Sequence, residues 1–227
     1  MTLISLHLPK TAGASFGWAL NDFFGGSLLR DYDDRPMSKP ADERNPAALI
    51  AGEQLTTQGL AGVSCVHGHF LPVKYLGLST VQNLRFVTWM RDPVQRLISH
   101  YNFWQRGYNR KTAGPHRKQV VEEKWTLEQF CLSAGFRNIY SQYLWAFPVQ
   151  KFEFIGITDY YDDDLAYVAE NFLGGTLKRK RLNVTRKRTA SYSIEPALRE
   201  KIERYHSQDV ALYQRALELR LARRPCR

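Results

Sequence analysis

The sequence predicts an α/β domain with a central parallel sheet flanked by helices. Apolar runs of strand length, residues 3–8, Leu84–Met90 and Phe152–Ile157, each lead into a stretch of helical periodicity. Strands that alternate with helices call for a parallel sheet covered on both faces. The 227 residues, 44% hydrophobic and 24% charged, suit one globular domain over residues 1–227 with a core of its own.

Taken in order, residues 3–8 form the first strand and residues 9–13 a turn. A helix then runs from Ser15 through Phe16, Trp18, Leu20 and Phe23, ended by Gly25 and Gly26. Residues 31–46 are polar, carry Pro36, Pro40 and Pro46, and read as a surface loop, with a short helix over 47–60. Residues 63–67 are a second strand. Leu84–Met90, β-branched and aromatic, is the clearest buried strand, and a helix follows from Pro93. Residues 107–124 read as a basic, polar excursion. Thr126 caps the next helix, another surrounds 139–145, and a third long strand over 152–157 precedes a helix over 162–172. Residues 174–192 are a basic loop, and one long amphipathic helix over 194–221 closes the pattern.

Residues 3–6 are too few for a signal-peptide core and run into Pro9 and Lys10, and no run approaches the ~18 apolar residues of a membrane span. The expectation is a soluble, cytoplasmic protein. Cys65, Cys131 and Cys226 are widely spaced and form no C-x-x-C pair, so they read as reduced thiols. The net charge of +10, from 32 Lys and Arg against 22 Asp and Glu, favours an anionic partner such as nucleic acid, a phosphorylated cofactor, an acidic glycan or a membrane surface. A generally solvated basic surface fits the same charge.

In parallel sheets ligands bind beyond the carboxyl ends of the strands. That rim gathers residues 9–15, His67 to His69 and Arg91 to Pro93. The strand-to-helix turn around Lys10, Thr11, Ala12, Gly13, Ala14, Ser15 and Phe16 aims backbone N–H groups and a helix N-terminus at one point, which suits an anion. Lys10 adds a charge, and Thr11 and Ser15 add hydroxyl donors. The order differs from a Walker A loop, where Lys adjoins Ser or Thr after a longer glycine loop. A plain tight turn with Ser15 as N-cap accounts for the same residues. After Leu84–Met90, Arg91 offers a planar fork for a phosphate, Asp92 can cap the helix that Pro93 opens, and Ser99 sits almost two turns in. A structural Arg91 paired with a carboxylate is the alternative.

Together, "PKTAGASF" and the later "RDPVQRLISHY" resemble the two nucleotide-binding signatures of carbohydrate sulfotransferases, the group containing heparan sulfate 2-O-sulfotransferase and its bacterial relatives. The resemblance implies a P-loop-like sulfotransferase fold and 3′-phosphoadenylyl sulfate (PAPS) as donor. It assigns residues 10–16 to the 5′-phosphosulfate, and Arg91 and Ser99 to the 3′-phosphate. Ala14 departs from the family's Thr or Ser, a lost hydrogen bond of about 1–2 kcal/mol.

Moving a sulfuryl group to an alcohol needs a base near neutrality and a cation at the bridging oxygen. The "HGH" of residues 67–69 supplies histidines, and the resemblance assigns the catalytic role to His69, with His67 assisting and Lys10 at the leaving oxygen. His67 and His69 share a strand face and could ligate a metal, but no third ligand is evident, so no metal is expected. His7 and His100 read as local packing groups. The resemblance also carries a nucleotide-closing role to Asn183, Thr185 and Arg188 within the basic loop. Arg106, Arg110, Lys111, Arg117 and Lys118 form a second basic stretch suited to an anionic glycan acceptor, with no nucleic acid among the expected partners. A P-loop kinase-like phosphotransferase and a nucleic-acid-binding module are the rival readings.

Overall fold

The computed structural model describes residues 1–179 and 191–223. Asn183, Thr185, Arg188 and Cys226 lie outside the described residues. Five parallel strands form one sheet in the order β2-β3-β1-β4-β5: β1 (Thr2–Leu6), β2 (Leu28–Asp31), β3 (Cys65–Gly68), β4 (Leu84–Met90) and β5 (Phe152–Ile157). The α/β architecture expected from the alternating pattern is therefore present. β1 lies at the centre, with Ser5 opposite His67 on one side and Val87 on the other.

Alternation along β1 divides the core. Ile4 and Leu6 face one layer with Val66, Phe86 and Met90, closed by α2 (Ala41–Gln58), α6 (Ile139–Tyr143) and α9 (Ser207–Arg223). Leu3 faces the other with Val87, Trp89 and Phe154, closed by α1 (Gly13–Phe24) and α7 (Tyr161–Val168), which a π-helical turn extends over Ala169–Leu173. A third cluster joins α3 (Pro93–Gln105), α5 (Leu127–Cys131) and α8 (Pro196–Tyr205) around Leu97, Phe130 and Ile202.

The caps follow the local sequence. Asp92 accepts from the Gln95 N–H at the start of α3, and Thr126 and Gln129 form a reciprocal capping box on α5. Gly25, at φ 51°, ends α1.

The structure differs from the sequence reading in four places. Residues 28–31, between the first helix and the surface loop, form edge strand β2, and α2 begins inside that loop at Ala41, running through Pro46. The basic excursion contains α4 (Pro115–Glu122). The closing helix is two helices, broken at His206. The His206 ring is fully buried, accepts from the Asn138 N–H at Nδ1 (3.2 Å) and donates from Nε2 to the Cys131 carbonyl (2.7 Å). Burial lowers its pKa to about 4, so the neutral ring serves as a buried post between α5 and α6. Among the described residues, no helix is long and apolar enough to cross a membrane. Cys65 and Cys131 are buried free thiols.

Candidate active site

The chain passes from β3 across β1 to β4, so the crevice between β1 and β4 is where the strand order reverses. The turns after these two strands carry the charged groups expected of an anion site.

After β1 the backbone turns through two left-handed non-glycine residues, Lys10 (φ 67°) and Ala12 (φ 65°). Each costs about 1–2 kcal/mol, and such geometry persists where the surroundings over-determine it. Ala12 is the N-cap of α1, and its carbonyl accepts both the Ser15 and Phe16 N–H groups (2.9 and 3.1 Å). The N–H groups of Lys10, Thr11, Ala12, Gly13 and Ala14 donate to no other backbone group among the described residues. A set of N–H groups therefore remains for an anion at the helix N-terminus.

The side chains divide differently from the sequence expectation. The Thr11 hydroxyl is buried and donates to the Leu8 carbonyl at 2.8 Å, so it braces the turn instead of facing a ligand. Ser15 is not the N-cap; α1 starts at Gly13, and Ser15 is buried in its first turn. Phe16 packs in the core, its ring centre 5.4 Å from that of Trp89. Ala14 is exposed. A side chain at Gly13 would collide with the His7 ring, so glycine is required there by close approach.

Lys10 has no carboxylate partner among the described residues; its Nζ rests 3.9 Å from the centre of the half-exposed Phe103 ring. Burial, then Arg106 and Arg91, lowers its pKa to about 8. Arg91 is also without an ion pair among the described residues, and its Nε is buried with no hydrogen-bond partner. The neighbouring acid, Asp92, is held by Arg199 at 2.7 Å. Arg91 therefore has no carboxylate within ion-pair distance among the described residues, although its charge acts on Asp159 and opposes the rise that burial gives that acid's pKa. Ser99 is buried on α3, with no hydrogen bond to Arg91.

At the ends of β1 and β3 three imidazoles lie together. His7 stacks on His69 with ring centres 4.2 Å apart, and on His67 at 5.2 Å. His69 Nδ1 bonds to the His7 carbonyl. A carbonyl only accepts, so Nδ1 carries the proton and Nε2 keeps its lone pair. His67 is buried, with Nδ1 2.8 Å from the Ser5 hydroxyl, and its Nε2 points at α1 with no partner of hydrogen-bonding geometry. Burial lowers the pKa of all three, His67 to about 3; neighbouring imidazoles add to the effect at His7 and His67, whereas the bond to the His7 carbonyl opposes it at His69. The cluster is neutral near neutrality. Among the described residues no three potential ligand side chains converge on a metal position.

Tyr32 completes the group. Its hydroxyl lies 2.9 Å from His7 Nδ1, and its ring meets His69 edge-on at 5.0 Å. It is anchored through Asp31, which accepts from Lys74 (2.9 Å) and the Tyr75 hydroxyl (2.6 Å). Of the second basic stretch, Arg106 approaches Lys10. Arg117 instead donates to the carbonyls of Phe103, Trp104 and Arg106 at the end of α3, and Arg110 pairs with Glu122. The sequence reading missed Tyr32 and the contribution of His7. Tyr32 follows a short edge strand to which the sequence pattern assigns no element, whereas His7 stood inside the first motif, where a third histidine at a strand end was the available signal.

No known protein family and no curated protein matches the sequence. Among solved structures, the chain is similar to a sulfotransferase from Alicyclobacillus acidocaldarius, with 16% identity over 96% of this chain and 95% of that one and a TM-score of 0.50. At that identity the likeness shows the fold, an α/β architecture of the kind that sulfotransferase adopts.

Proposed function

We propose that the protein is a sulfotransferase that takes the sulfuryl group of PAPS and transfers it to an acceptor hydroxyl, of a carbohydrate. The observation that carries this reading is the gathering, along the carboxyl rim of β3, β1 and β4, of Lys10 and Arg91, two cations with no carboxylate within ion-pair distance among the described residues, and a neutral His69 whose Nε2 keeps its lone pair.

The residues fit a donor with phosphate at both ends. The open N–H groups of residues 10–14 and Lys10 suit the 5′-phosphosulfate. The Arg91 guanidinium, with its unpartnered Nε, suits the 3′-phosphate. When bound, the donor supplies an activated sulfuryl group and a phosphate leaving group. His69 Nε2 takes the acceptor proton, while the Nδ1 bond to His7 holds the ring in the required tautomer. Lys10 faces the negative charge that develops on the leaving oxygen. Arg106 and the open Phe103 ring beside Lys10 form a face suited to a sugar bearing anionic groups.

Thermal shift tests the reading with three probes: 3′,5′-adenosine bisphosphate, ATP with magnesium, and single-stranded DNA. Stabilisation by the bisphosphate above the other two is expected, since binding to the native state raises its apparent stability. A preference for magnesium-ATP or for DNA overturns it in favour of a phosphotransferase or a nucleic-acid binder.

A further inference from the structure

We infer that Tyr140 is a positioning residue for this site: its hydroxyl sets the direction of Arg91 and, with it, the preference for a 3′-phosphorylated nucleotide. This rests on the donor reading above.

Arg91 lies one residue past the end of β4, where the sheet ladder no longer holds it. A single phenolic oxygen takes over. The Tyr140 hydroxyl accepts from the Arg91 N–H at 3.1 Å and donates to the Arg91 carbonyl at 2.7 Å. Those two groups belong to the two peptide planes on either side of the Arg91 Cα. Pinning both planes fixes φ and ψ, and therefore the direction in which the side chain leaves the backbone.

Tyr140 is in turn held from three sides. It is fully buried, and burial raises its pKa, so the hydroxyl stays a donor. Its N–H and that of Ser141 donate to the two carboxylate oxygens of Asp209 on α9, at 3.1 and 3.0 Å. Its ring lies 5.6 Å from the guanidinium of Arg96, a fully buried cation whose three nitrogens have no hydrogen-bond partner. Opposite, Gln95 grips the backbone of Tyr192 through both amide atoms, at 2.9 and 2.5 Å, and leaves the Tyr192 ring 5.5 Å from the Arg91 guanidinium. Arg91 is thus held at its backbone by Tyr140 and neighboured at its guanidinium by the Tyr192 ring.

The test is calorimetric titration of the full chain with 3′,5′-adenosine bisphosphate and with 5′-AMP, which lacks the 3′-phosphate. It compares wild type, Tyr140→Phe, Arg91→Ala and the double variant. The wild type is expected to prefer the bisphosphate, and Tyr140→Phe to lose about tenfold of that preference, one lost charge-directed contact, with 5′-AMP binding unchanged. Tyr140→Phe adds nothing in the Arg91→Ala background, because the two act as one unit. Full retention of the preference in Tyr140→Phe, equal weakening of both nucleotides, or additive losses overturn the inference. A wild type with no preference overturns the donor reading as well. Should Tyr140→Phe fail to fold, hydrogen exchange on the wild type decides: a protected Arg91 amide supports the clasp, and rapid exchange overturns it.

Discussion

His69 is bonded through Nδ1 to the carbonyl of His7, and the His7 ring stacks against the His69 ring at 4.2 Å, so one residue supplies both the tautomer and the wall of the proposed base. The base is thereby oriented by main chain, which no substitution at position 7 removes, and by an imidazole, which substitution does remove. His69→Ala should lower turnover by ~10²–10⁴-fold while leaving the binding of 3′,5′-adenosine bisphosphate intact. Steady-state kinetics beside calorimetry checks both halves, and near-normal turnover in a folded variant would exclude His69 as the base.

Two titrations bracket activity. His69 must be neutral to act, and burial lowers its pKa below the usual 6.5, so it protonates only as pH falls beneath that value. Lys10 must be charged, and its pKa is lowered to about 8, so its charge is lost as pH rises through about 8. The kcat/KM profile should be a bell with its acid limb below 6.5 and its alkaline limb near 8. Lys10→Arg should move the alkaline limb upward, since guanidinium does not titrate in that range.

Gly17, inside α1, faces the His67 ring, and a Cβ there would stand 2.5 Å from Nε2. Helix propensity alone favours alanine by roughly 1 kcal/mol. Overpacking against a buried ring costs about 1–3 kcal/mol and wins. Gly17→Ala should therefore lower the urea midpoint and displace His67, seen as a shifted imidazole resonance.

Arg220 on α9 and Asp164 on α7 form a buried pair at 2.9 Å, and Asp164 also accepts from the Ile157 N–H at the end of β5. Removing Arg220 leaves the buried Asp164 carboxylate to Arg223, whose nearest approach is a longer 3.8 Å. Arg220→Ala should cost about 3–5 kcal/mol in chemical denaturation, with nucleotide binding retained at low temperature because the pair lies on the far side of β5 from the crevice.

Legibility in the sequence followed how local each signal was. β4 was readable because five consecutive apolar or β-branched positions, Phe86 to Met90, are buried. β2 was not: its burial alternates poorly at a sheet edge, Leu29 is half exposed, and prolines follow closely. Pro46 suggested a helix boundary, yet α2 runs through it because packing of Ala48 and Gly52 outweighs one missing hydrogen bond. Within the site, Lys10, Arg91, His67 and His69 stood out because each lies at or just beyond the carboxyl end of a strand. Tyr140 and Tyr32 reach the rim from segments distant in sequence, through hydroxyl bonds that leave no periodic trace.

The central place of β1 has a consequence for biogenesis. Its partners, β3 and β4, begin only at Cys65 and Leu84, so a ribosome must extend the chain well past the first strand before either edge of β1 can be paired. Until then an apolar strand with two open edges waits, a target for chaperones and a hazard for self-association. A truncated nascent chain therefore has no partial activity, and substitutions that slow the arrival of β4 should lower yield in cells more than they lower the stability of the finished protein.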